Sequence, residues 1–79
     1  MVRVGAKLFV VGVIGNWGQE ISVHKTQDGA EEWLVNFAAL REPEIKKAPL
    51  SQRFSLTEKY FADNEEGESW FIEECLLAP

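Results

Sequence analysis

Cysteine and histidine each occur once, at Cys75 and His24. A lone cysteine cannot close an intramolecular disulfide, which excludes a small secreted scaffold held by cross-links. The two residues together cannot complete a four-ligand structural zinc site, and the reading carries no cofactor and no metal. Long apolar runs are missing too. The most hydrophobic stretch, Leu8 to Ile14, is seven residues long, against the roughly 20 that a membrane-spanning helix needs. Arg3 and Lys7 in front of it give the outline of a secretory leader, but the turn Asn16-Trp17-Gly18 stands where a small-residue cleavage site would follow. The expectation is a cytoplasmic protein without membrane contact. Basic charge is scarce: 8 Lys and Arg stand against 13 Asp and Glu, a net charge of -5. Phosphate backbones require a basic surface, so direct nucleic-acid binding is excluded. A protein partner with a basic surface is the electrostatic complement.

What is present is an ordinary globular composition, 46% hydrophobic and 27% charged over 79 residues, read as one domain over residues 1–79. A chain this short buries only about 60–65% of its surface, so its stability is thin. Residues 2–14 form a β-branched run that is apolar on both faces, as expected of a central strand. Gly15-Asn16-Trp17-Gly18 supplies a turn, and Gln19 to Lys25 alternates, with Ile21 and Val23 on one face and Glu20, Ser22 and His24 on the other. Asp28 as N-cap, with Glu31 as its capping-box partner, opens a helix whose Ala30, Trp33, Leu34, Phe37 and Ala38 recur at helical spacing. Pro43 ends it near Arg41. Residues 42–53 are read as a connection, and Ser55-Leu56-Thr57-Glu58 as a second capping box opening a short helix to about Asn64. Asn64-Glu65-Glu66-Gly67 is a turn before a last strand, Glu68 to Leu77. The fold class is α+β in the order β-β-α-α-β. Only the first strand is apolar on both faces, so it lies centrally in a three-stranded, mainly antiparallel sheet of order 2-1-3 with both helices on one face. The other face is left open, and apolar groups there require a partner or a second copy.

Motifs that could carry chemistry resolve into structural roles. Gly12, Gly15 and Gly18 are spaced like a phosphate-cradling loop, but a strand follows them rather than a helix N-terminus, so they belong to the hairpin. His24 as base and Cys75 as nucleophile would lie on different strands with the central strand between them, a surface histidine and an inert thiol rather than a catalytic pair. Nothing sets two carboxylates across a cleft. The protein is read as a non-enzymatic binder.

Charge position carries the functional expectation. Residues 60–79 contain no basic residue and six acids, Asp63, Glu65, Glu66, Glu68, Glu73 and Glu74. Beside them stands Trp70, and at the hairpin tip Trp17; aromatic anchors flanked by acids fit docking on a basic groove. The alternative for the acids is a solvated turn that aids solubility. Trp33, on the apolar stripe of the first helix, is read as core.

The strand-turn-strand start, the helix start Asp28-Gly29-Ala30-Glu31-Glu32-Trp33-Leu34 and the closing Gly67-Glu68-Ser69-Trp70-Phe71-Ile72-Glu73-Glu74 strand together resemble small phage-encoded accessory proteins. In size, acidity and layout the chain is similar to anti-CRISPR proteins of the anti-defence type. The resemblance implies a stoichiometric inhibitor that covers the nucleic-acid groove of a CRISPR-Cas or other bacterial defence effector. It assigns no residue roles. The alternative is a structural or regulatory subunit of a phage or bacterial complex, monomer or homodimer, acting through the open sheet face.

Overall fold

A computed structural model of the protein describes residues 7–65 and 67–76. Residues 2–6 of the expected first strand, Glu66 of the acidic turn and Leu77 of the last strand lie outside the described residues. Three strands form one sheet of order β2-β1-β3, with β1 (Lys7–Gly15) central between β2 (Gly18–His24) and β3 (Ser69–Leu76), as its two-sided apolar sequence requires. Both pairings are antiparallel. The hairpin turns through Asn16 and Trp17, and Gly18 closes it at φ 123°, a conformation that L side chains rarely adopt.

The helical segment differs from the expected pair. It contains α1 (Gln27–Ala39), a short α2 (Glu44–Lys47) within the expected connection, and α3 (Leu50–Asp63). Thr26, not Asp28, caps α1, its hydroxyl accepting from the Gly29 amide at 3.0 Å. Thr26 outcompetes Asp28 because it stands where the chain is still extended, with φ -133° and ψ 154°. Nor does Ser55 start a helix. The second prolyl residue of the connection, Pro49, is the N-cap of α3, and Ser55 lies inside the helix. Proline costs nothing at such a start, where the first amides have no intrahelical partner. Arg53 ties the new start to the connection, donating to the Ala48 and Lys46 carbonyls at 2.9 and 2.8 Å.

All three helices lie on one side of the sheet. Val11 and Val13 of β1 meet Ala30, Leu34, Phe37 and Ala38 of α1, Ile45 of α2 and Phe61 of α3 in a single core. Trp33 is partly buried at its margin, stacked on Phe37 with centroids 5.7 Å apart. Thr57 is fully buried, and its hydroxyl is satisfied by the Arg53 carbonyl at 2.9 Å.

Candidate interaction surface

The strand registers decide which side chains look away from the helices. Directly paired residues share a face. Val13 pairs with Glu20 and Trp70, Val11 with Ser22 and Ile72, and Phe9 with His24 and Glu74, so all of these lie on the helix side. The free side therefore carries Leu8, Val10, Gly12 and Ile14 of β1, Gln19, Ile21 and Val23 of β2, and Ser69, Phe71, Glu73 and Cys75 of β3. Strand β2 is reversed relative to the usual rule. Its aliphatic residues face outward, Ile21 being 48% and Val23 56% exposed, while its polar residues face the helices. Ile14 is 45% exposed beside them. At the centre of this face Phe71 occupies the space a side chain at position 12 would need: a Cβ on Gly12 would stand 2.6 Å from the ring. Among the described residues the result is a mainly apolar surface, with Gln19 and Ser69 at one end and Glu73 as its one charged strand residue.

The acids expected to form one docking patch are dispersed. Asp63 and Glu65 are exposed at the end of α3, and Glu73 and Glu74 project from opposite faces of β3. Glu74 bridges Lys7 at 2.8 Å. The Glu74 carboxylate, through this hydrogen bond and then its charge, raises the Lys7 pKa above its ordinary 10.5.

Glu68 is not a surface acid at all; it is 3% exposed. One carboxylate oxygen accepts from Trp17 Nε1 at 2.8 Å and from Arg41 at 3.0 Å, and the other from the Tyr60 hydroxyl at 3.1 Å. Asn64 grips its backbone on both sides, accepting from the Glu68 amide at 2.9 Å and donating to its carbonyl at 3.0 Å. A buried carboxylate is tolerable only when its lone pairs are filled in this way. This one joins the hairpin tip, the end of α1, α3 and the start of β3. Both expected aromatic anchors make contacts within the fold. Trp17 folds back, stacking on Phe37 at 6.1 Å while remaining half exposed, and Arg41 lies over the same ring at 4.5 Å. Trp70 packs against the core with its ring edge-on to Phe54 at 5.7 Å.

A second concavity, about 380 Å³, lies between α2 and α3. Ile45, Leu56 and Tyr60 give it an apolar lining, and Glu42, Glu44 and Asp63 outnumber its one base, Lys59. The sequence hid this groove because two of its acids, Glu42 and Glu44, come from the segment read as a connection, and only Asp63 belongs to the acids expected to dock.

The nucleophile and base considered from the sequence are kept apart. His24 lies on the helix side of β2, its Nε2 2.9 Å from Ser22 Oγ, whereas Cys75 lies on the free side of β3. Among the described residues no three His, Cys, Asp or Glu side chains converge as metal ligands, and no helix is long and apolar enough to cross a membrane. No family model, curated protein or solved structure matches the chain.

Proposed function

We propose that this chain is a non-enzymatic protein-binding domain that docks through the free face of its sheet, as a subunit of a larger assembly. The supporting observation is the outward-facing Ile21 and Val23 beside Ile14, Val10 and Phe71. Exposed aliphatic surface forfeits about 25 cal/mol per Å² of burial, and so small a domain has little stability to forfeit. Polar residues on the helix side of β2 and apolar residues on its free side make sense when that free side is the one covered. The flat geometry of the sheet suits a protein surface rather than a small ligand, which would need a concave pocket.

A second reading rests on the groove between α2 and α3. There Glu42, Glu44 and Asp63 surround apolar side chains, an arrangement complementary to a lysine- or arginine-bearing segment. This reading retains the acidic inhibitor of the anti-CRISPR or anti-defence type, occupying a basic nucleic-acid-binding site on an effector, with a contact surface centred on α2 and α3 that keeps only Asp63 of the acids in residues 60–79.

Affinity capture from bacterial lysate, followed by titration with the purified partner, separates the two. The double variant Ile21→Lys/Val23→Lys is expected to abolish binding while leaving the far-ultraviolet spectrum unchanged. Undiminished binding by that variant, with loss on changing Glu42, Glu44 and Asp63 to Gln, Gln and Asn, would reject the sheet face in favour of the groove.

A further inference from the structure

Resting on the reading of the free sheet face as a docking surface, we propose that its occupant is a second copy of this chain, laid face to face about a twofold axis parallel to β1. Two molecules that each carry a net charge of -5 repel one another, yet among the described residues of the last quarter most acids are kept off this face: Glu74 lies on the helix side, Glu68 is buried, Asp63 ends α3 and Glu65 follows it. Glu73 is the exception, and the strand order removes its conflict. A twofold along the central strand sets β3 of one copy over β2 of the other. The two Glu73 side chains then lie on opposite sides of the axis, each on an edge strand and over Val23 of the other copy, where the carboxylate belongs to the polar rim of the contact.

The same operation matches shape. The middle level of the face reads Ile21, Gly12, Phe71 across the three strands. Under the twofold, Ile21 of one copy meets Phe71 of the other at two equivalent places, and the side-chain-free Gly12 positions face each other at the axis, with the Phe71 rings leaning over them. An isologous contact requires this kind of self-complementarity, and stacked sheets pack about 10 Å apart in the same way.

Size sets the expected strength. Three strands about 4.8 Å apart and eight residues long span roughly 14 by 26 Å. Two such faces in contact hide on the order of 1,000 Å² in total, the lower end for a specific interface. The dimer is therefore a reversible one, with a dissociation constant on the order of 10–100 µM.

Sedimentation equilibrium from about 5 to about 500 µM, with isotope-filtered NMR on a mixed labelled and unlabelled sample, tests the inference. The expected result is a monomer–dimer equilibrium, with intermolecular contacts between Ile21 methyl groups and the Phe71 ring. Ile21→Lys should raise the dissociation constant at least tenfold. A monomer throughout that range, a dimer unaffected by Ile21→Lys, or intermolecular contacts confined to the helices would each overturn it. If the protein stays monomeric but Ile21→Lys/Val23→Lys abolishes capture of a different protein, the dimer fails and the docking face stands. If neither association responds to those changes, both readings fail.

Discussion

At the scale of single residues, the acids of the last quarter divide into three chemical situations that share only their charge. Glu65 is exposed, Glu74 is an exposed ion-pair partner, and Glu68 is a buried acceptor of three side-chain donors. Glu68→Gln keeps the shape but supplies an amide donor where Trp17, Arg41 and Tyr60 all donate, and it leaves Arg41 without its counter-charge. We expect a loss of about 2–3 kcal/mol in urea unfolding, below the largest buried-pair effects because Arg41 keeps some contact with water. Glu65→Gln should change stability by less than about 0.5 kcal/mol; equal effects of the two changes would mean that the Glu68 network contributes nothing. Lys7 gives a prediction with a defined sign. Its pKa is raised above 10.5 by Glu74, so the folded state holds the proton more tightly than the unfolded state. The resulting stabilisation is present in full below 10.5 and disappears as the pH rises through the higher folded value. NMR titration of the Lys7 side chain should show the upward shift, and Glu74→Gln should abolish it.

At the scale of elements, helix starts test how far local pattern reaches. Thr26→Ala removes the hydroxyl that accepts from the Gly29 amide and should cost about 1 kcal/mol. Ser55→Ala, inside α3, should be neutral or stabilising by up to about 0.5 kcal/mol, because alanine is the better interior residue. A larger loss at Ser55 than at Thr26 in thermal unfolding would restore the capping box that the sequence displays. That box was misread for a physical reason. Ser-x-x-Glu recurs within helices by chance, and the true start at Pro49 falls inside residues 42–53, read as a connection. The strands were more legible. The two-sided β-branched run of β1 specifies a central position, and with it the order β2-β1-β3. Alternation in β2 separated Ile21 and Val23 from Glu20, Ser22 and His24 correctly, but a period of two cannot say which set meets the helices. That choice is made by the helices, which cover the Val11 and Val13 face of β1, while the hairpin register puts Glu20 and Ser22 on the same side. The candidate site was legible in part for the same reason. An open face was foreseeable from topology, whereas the burial of Glu68 depends on Trp17 and Arg41, and the packing of Trp70 on Phe54, residues distant from them in the chain.

At the scale of the whole molecule, the helices and sheet form a plate 16 Å through its thinnest direction and 42 by 30 Å across. Among the described residues the core lies between the helices and the sheet, built from Val11, Val13, Leu34, Phe37, Ile45 and Phe61, and no described element packs on the opposite face of the same strands. Stability and association are then linked. Anything that covers Ile21, Val23 and Phe71 in the folded state alone shifts unfolding upward by mass action, and when the covering body is a second copy the shift depends on protein concentration. With a dissociation constant on the order of 10–100 µM, raising the concentration from about 5 to about 500 µM takes the protein from mostly monomer to mostly dimer. For a domain of this size, each 1 kcal/mol of added stability raises the melting temperature by about 4–8 °C, and this concentration range is worth about 1 kcal/mol per chain. The melting temperature should therefore rise by several degrees across the series in the parent chain. In Ile21→Lys it should stay flat, because the lysine keeps the fold, being on the water side of β2, but cannot be buried without a counter-charge. A melting temperature independent of concentration in the parent chain, measured by calorimetry at both ends of the series, would show that no second copy covers the free face.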